Sequence, residues 1–236
     1  MNGSDLAGRV RSGDRRALAR LVSQIESGDP AVDPVIATLI DSAPPARRIG
    51  ITGPPGAGKS TLVDAMISGF RSSGNKVAVL AIDPTSPITG GALLGDRIRM
   101  QGHVDDSGVY VRSMAARGHL GGLSLAAAPT IAVLARAGFD VVLVETVGVG
   151  QSELEIMDHV DSVVLVLAPG WGDQIQADKA GIVEIADVFV INKGDRPGVD
   201  VVQRALQERL GDTGAPILVT TATTGEGVPA LVEVVR

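Results

Sequence analysis

Short, nearly unbroken apolar runs alternate with amphipathic stretches along most of this chain. The runs predict strands over Ile49–Thr52, Val77–Ile82, Val109–Arg112, Val141–Glu145, Val163–Leu167, Val188–Asn192 and Ile217–Thr221. Apolar residues without alternation are what a strand covered on both faces requires. Between them the spacing predicts helices over Lys59–Arg71, Asp96–Gln101, Leu123–Ala137, Asp178–Ile185, Val199–Leu210 and Val228–Val235. Such alternation specifies an α/β fold of three layers, a largely parallel sheet with helices on both faces. A helical preface comes first. Asp14 reads as an N-cap, Leu18, Leu21, Val22 and Ile25 follow at helical spacing, and Gly28 and Pro30 close the helix. A second short helix is predicted over Pro34–Asp41, and Ser42–Arg48, with its consecutive prolines, reads as a linker. The expected organisation is a helical extension over residues 1–45 and an α/β domain over 46–236.

Composition narrows the class. The chain has 236 residues, enough for one sizeable core, and only one Trp, one Tyr and three Phe, so that core must be aliphatic. The net charge of -6 is spread out and forms no basic stripe, which argues against a nucleic-acid partner. The absence of cysteine removes disulfides, thiolate metal sites and a cysteine nucleophile. Nothing approaches a membrane-spanning apolar run or a signal-peptide core, so the expected setting is cytoplasmic, with no membrane partner. His103, His119 and His159 are scattered and read as structural or solvated.

The chemistry concentrates at predicted strand ends, where open parallel sheets gather ligands. "GITGPPGAGKST", Gly50 to Thr61, places Gly53, Pro54, Pro55, Gly56, Ala57, Gly58, Lys59, Ser60 and Thr61 between a strand and a helix. This is a phosphate loop in its required context. Its amides converge on phosphate oxygens at a helix N-terminus, Lys59 bridges the β- and γ-phosphates, and Ser60 binds Mg²⁺. A plain turn needs one glycine and has no use for Lys-Ser. At another strand end stand Asn192, Lys193, Gly194 and Asp195. A carboxylate in the base plane accepts from guanine N1–H and N2–H₂, donors that adenine lacks there, so the expected ligand is GTP or GDP. Lys193 can lie across base and ribose, and after the last strand Thr221, Ala222 and Thr223 supply a backbone amide, that of Ala222, for guanine O6.

A third strand end carries Glu145, with Gly148 three residues on. Here the carboxylate supports the Mg²⁺ shell and the glycine amide reads the γ-phosphate. Val149 stands where many efficient GTPases place a water-orienting glutamine, and Gln151 is the nearest one, so slow intrinsic hydrolysis, stimulated by a partner, is expected. Asp83 and Asp96 are further carboxylates that can act through metal-bound water; for Asp96, helix capping weighs equally.

"AIDPTSPITGGALLGDRIRM", "YVRSMAARGHLGGLS", "VETVGVGQSE" and "APGWGDQIQADKAGIVEIADVFVINKGD" together resemble the MeaB/ArgK-type GTPases, from about Val10 to Arg236. The resemblance implies a GTPase chaperone of adenosylcobalamin-dependent methylmalonyl-CoA mutase that gates cofactor loading and protects the mutase. It places functional roles on Gly53–Thr61, Asp83, Asp96, Glu145, Asn192, Lys193 and Asp195. It also implies a nucleotide-responsive segment over Gly172–Gly181, with Lys179 its responsive residue and Asp173 its acidic member; exposed helix-start charges explain both equally well. Trp171 is bulkier, and Ala180 smaller, than the family pattern. The family's C-terminal dimerisation extension is not matched before Arg236, which leaves a homodimer open but without the segment expected to hold it. Three other readings stand beside this one. They are an ATPase or kinase tied to basic amino-acid transport (lysine, arginine, ornithine), a metal-delivery GTPase, and a slow-turnover nucleotide-dependent scaffold. Asp195 argues against the first, and the missing cysteines and isolated histidines against the second.

Overall fold

The computed structural model describes residues 3–42, 44–84, 101–103, 105–116, 126–146, 148, 155, 157–171 and 181–236. Seven strands form one sheet: β1 (Arg47–Thr52), β2 (Val77–Pro84), β3 (Val109–Ala116), β4 (Val141–Thr146), β5 (Ser162–Leu167), β6 (Val188–Asn192) and β7 (Ile217–Thr220). Their order is β3-β2-β4-β1-β5-β6-β7 and every neighbouring pair is parallel. The three-layer α/β class read from the sequence is therefore the observed one. Strand β1 lies centrally between β4 and β5; the connection leaving β1 leads to β2 on one side, and that leaving β4 passes β1 to reach β5 on the other. The carboxyl end of β1 is thus a point where loops diverge and a ligand fits.

One face of the sheet is covered by α4 (Lys59–Ser72) and α8 (Val228–Val235), which pack on each other. Leu62, Val63, Met66, Ile67 and Phe70 of α4 are fully buried against Ile49, Ile51, Val79 and Leu143. Burying each such side chain stabilises the fold by about 1.5–3 kcal/mol. On the other face lie α5 (Ala127–Leu134) and three N-terminal helices, α1 (Gly3–Arg11), α2 (Arg15–Glu26) and α3 (Asp33–Ser42). Leu6, Val10, Leu18, Leu21, Val35 and Leu39 share a core with Ala78, Leu80, Val142 and Val144 of the sheet. Farther along that face, α6 (Ile182–Ile185) and α7 (Val199–Leu210) cover Leu165, Leu167, Phe189 and Ile191.

Local chemistry explains where elements begin. Asp14 caps α2 by accepting from the amides of Arg16 and Ala17. Gly58, in the left-handed region at φ 94°, turns the chain into α4. Some bounds differ from the sequence reading. Strand β3 runs on to Ala116, because it pairs with β2 from Val77–Val109 through Pro84–Ala116. The helix expected over Leu123–Ala137 is described over Ala127–Leu134, and the one expected from Asp178 is described only from Ile182, after Gly181 at φ 68°. The last strand ends at Thr220, not Thr221, and Arg47 already belongs to β1 rather than to the linker. Helix α1 was not anticipated. Among the described residues no helix is long and apolar enough to cross a membrane.

Candidate functional site

The phosphate loop leaves β1 at Gly53. A Cβ on Gly53 would stand 2.1 Å from the Val166 carbonyl oxygen of β5, and one on Gly58 would stand 2.4 Å from Asn192 Nδ2. Both glycines are therefore demanded by close approach of neighbouring elements, at φ values of 143° and 94° that few other residues adopt. Pro54 and Ala57 are buried, Pro55 and Gly56 exposed, and Thr61 half-buried. Lys59 is only 6% exposed, and its Nζ donates to the carbonyls of Gly53 (2.7 Å) and Pro54 (3.1 Å). The Nζ of Lys193 reaches the same loop at the Gly56 carbonyl, 2.5 Å away. Two ammonium groups and a helix N-terminus thus converge on one loop, an arrangement that favours a polyanion.

Behind the loop, Ser60 Oγ donates to Glu145 Oε1 at 2.7 Å, with both residues buried. The sheet makes this contact. Ile51 of β1 is in register with Glu145, so the carboxylate stands level with the strand that feeds the loop. Ala81 of β2 is also in register with Glu145, and Asp83 follows two residues later at the end of β2. Among the described residues no group of three or more His, Asp or Glu side chains could hold a metal. A buried hydroxyl beside a buried carboxylate nevertheless fits Mg²⁺, which takes few protein oxygens and keeps waters and phosphates for the rest of its shell.

At the adjoining strand ends, Asn192 ties three loops together. It is 2% exposed. Its Nδ2 donates to the Ala57 carbonyl at 3.0 Å and approaches that of Gly58 at 3.4 Å. Its Oδ1 accepts from Thr220 Oγ1 (3.2 Å) and from the Ala222 amide (3.1 Å). The amide expected at guanine O6 is thus engaged with Asn192 in this arrangement. Lys193 adopts φ 60°, the one non-glycine residue with positive φ among those described. That strain aims its side chain back over the phosphate loop. Gly194 leaves no room for a side chain, since a Cβ would lie 2.8 Å from Val219 Cγ1. Asp195 is exposed at the rim, Thr221 is buried and pairs with Glu226, and Thr223 is exposed.

Gly148 is half-buried, and its carbonyl accepts from Thr52 Oγ1 at 2.9 Å. The structure therefore brings Gly53–Thr61, Glu145, Gly148, Asn192, Lys193, Asp195 and Thr221–Thr223 to the carboxyl ends of β1, β4, β6 and β7. Of Asp83 only its backbone place is described. Asp96, Val149, Gln151, Asp173, Lys179 and Ala180 lie outside the described residues. Trp171 is half-buried against the cluster containing Ala57, Val164 and Val166. Sequence reasoning missed Thr52. The signal was present, a hydroxyl closing an apolar strand directly before the first loop glycine.

Three comparisons bear on this geometry. A Pyrococcus horikoshii protein provisionally named a GTPase is 49% identical over 242 residues, covering 98% of this chain and 76% of that protein. The mouse protein named methylmalonic aciduria type A homolog, mitochondrial, is 38% identical over 199 residues, 80% of this chain and 48% of its own length. Among solved structures, an LAO/AO transport system kinase superposes with a TM-score of 0.79 at 26% identity, covering 100% of this chain and 75% of that one. The family model described as methylmalonyl Co-A mutase-associated GTPase MeaB matches residues 18–236, nearly the whole of the chain, and with the phosphate loop, acidic strand end and guanine motif in one place this protein belongs to that family of GTPases.

Proposed function

We propose that this GTPase serves as a chaperone of adenosylcobalamin-dependent methylmalonyl-CoA mutase, gating cofactor loading and protecting the mutase. The observation that carries the reading is the family match over residues 18–236, whose description names that association. The mouse relative's name, which refers to methylmalonic aciduria, agrees with it. In this reading Lys59 and the amides of Gly53–Thr61 hold the β- and γ-phosphates, and Asp195 selects guanine while Lys193 covers the base. Ser60 and Glu145 would hold Mg²⁺, with Asp83 and Asp96 as further supporting carboxylates, and the ion would supply charge neutralisation at the phosphates. The Gly148 amide reads the γ-phosphate, and Lys179 and Asp173 belong to the segment that answers to the mutase. Val149 in place of a glutamine supports slow intrinsic turnover that a partner accelerates.

The solved LAO/AO transport system kinase keeps a second reading in view, phosphoryl transfer tied to basic amino acids. Asp195, a guanine reader at the rim of the site, favours the first. The test mixes the purified chain with purified methylmalonyl-CoA mutase and follows GTP hydrolysis and complex formation by calorimetry. A complex whose affinity changes between GDP and a non-hydrolysable GTP analogue, with stimulated hydrolysis, is expected. A complex without stimulation would favour a scaffold, and neither a complex nor stimulation would refute the proposal.

A further inference from the structure

After Arg47 and Arg48, strand β1 carries no polar side chain until its last residue. That residue, Thr52, is fully buried, and its Oγ1 donates to the Gly148 carbonyl at 2.9 Å. Two residues earlier, on the same face of β1, Gly50 leaves a hollow that Met157 fills. A Cβ there would lie 2.4 Å from Met157 Sδ and 3.0 Å from Val160 Cγ2. Gly148 and Met157 thus both seat on β1, on positions two residues apart. Thr146 stands beside Thr52, one step beyond the Ile51–Glu145 pair. It is 1% exposed, and among the described residues its Oγ1 makes no hydrogen bond. Of the two buried hydroxyls at this edge, the one from β1 holds the Gly148 segment.

We propose that Thr52 is a positioning residue for γ-phosphate recognition, holding Gly148 in register with the phosphate loop that begins at the very next residue. The inference rests on the assignment of the Gly148 amide as the γ-phosphate reader. Holding the carbonyl of a residue fixes one of the two rigid peptide planes that meet at its Cα, so the N–H on the other plane keeps only two soft rotations. Because the holding group sits on the strand that carries the phosphate loop, the Gly148 amide is referenced directly to the atoms that bind the β-phosphate. GDP has no group for that amide to read. Loss of the hydroxyl therefore acts on triphosphate binding alone.

The test uses the full chain and fluorescent GDP and non-hydrolysable GTP analogues. Thr52→Val keeps the shape and removes the donor, Thr52→Ser keeps the donor, and Gly148→Pro removes the amide itself. For Thr52→Val, affinity for the GTP analogue falls about five- to tenfold, the worth of one buried hydrogen bond, while GDP affinity stays within about twofold. Thr52→Ser matches the parent protein on both ligands, and Gly148→Pro shows the triphosphate-specific loss in larger measure. If Gly148→Pro shows that loss and Thr52→Val does not, the role of Thr52 is refuted while the amide reading stands. If neither variant changes the ratio of the two affinities, the amide reading falls and takes the inference with it. Equal loss of GDP and GTP binding in Thr52→Val, or failure of both Thr52→Val and Thr52→Ala to fold, would assign the hydroxyl to stability and overturn the proposal.

Discussion

Replacing Asn192 by alanine removes the link between the phosphate loop and the base loops. Three of its bonds have good geometry, at 3.0, 3.1 and 3.2 Å, while the approach to the Gly58 carbonyl at 3.4 Å contributes little. Each good bond is worth about 1 kcal/mol net, and the Ala57 carbonyl and Ala222 amide would be left in a site that is almost closed to water. Together these give about 2–4 kcal/mol. On the proposed assignment these loops bind opposite ends of the nucleotide, so most of this cost falls on preorganising the site for the ligand. Affinity for GDP and for a GTP analogue should fall alike, by about thirty- to several-hundred-fold. Titration of fluorescent nucleotides measures both, and a thermal melt without nucleotide separates the share that falls on the fold. A variant whose two affinities stay within about threefold of the parent would refute the argument, since the three bonds would then contribute nothing to nucleotide binding and their worth would fall on the fold alone. A loss confined to triphosphate would also refute it, because that pattern belongs to Gly148.

Other outcomes follow from neighbouring contacts. Asp195→Asn turns a base-facing acceptor into a donor, so competition binding should show weakened GTP and improved xanthosine triphosphate; an unchanged preference would remove the guanine assignment. Lys59→Ala should abolish triphosphate binding in calorimetry, because it removes the buried ammonium held on the Gly53 and Pro54 carbonyls of the phosphate loop. Gly50→Ala puts a methyl 2.4 Å from Met157 Sδ and should destabilise the fold by about 1–3 kcal/mol in urea titrations. Adding Met157→Ala should cost less than the sum of the two single changes, whereas strict additivity would deny the contact. Hydrogen bonds from Arg71, then the Gly108 amide, hold the Asp106 carboxyl below its ordinary range. Its contribution to stability is therefore present above the unfolded carboxyl's pKa, about 3.9, and is lost as pH falls through the lower native value. The melting-temperature gap between the parent and Asp106→Asn should close over that acid range, and a gap that persists there would contradict the ion-pair account.

The strands could be read from sequence because the central ones, such as β4, β5 and β6, are apolar runs covered on both faces, a property local to the run. Strand β3 was read short because Arg112 and Ser113 interrupt the apolar pattern; pairing with β2, not side-chain type, carries it to Ala116. Helix α1 escaped notice because Leu6, Ala7 and Val10 are too few to announce a helix, and what buries them is a core shared with other elements. Of the helix expected from Asp178, the described part starts at Ile182, with Gly181 at φ 68° as its N-cap, a backbone conformation that periodicity does not register.

The chain's order of residues by itself determined the α/β class and the phosphate loop, and marked Asn192–Asp195 as the motif expected to read guanine, because each is written in contiguous residues whose chemistry acts over a few positions. Which groups meet was decided by tertiary structure. Ser60 finds Glu145 across 85 positions, Asn192 finds Ala57 across 135, and Thr52 finds Gly148 across 96. The physical reason is sheet order. Parallel pairing of β1 with β4 and β5, and of β5 with β6, aligns carboxyl ends that are remote along the chain, and a hydrogen bond forms only once those ends lie within about 3 Å of one another.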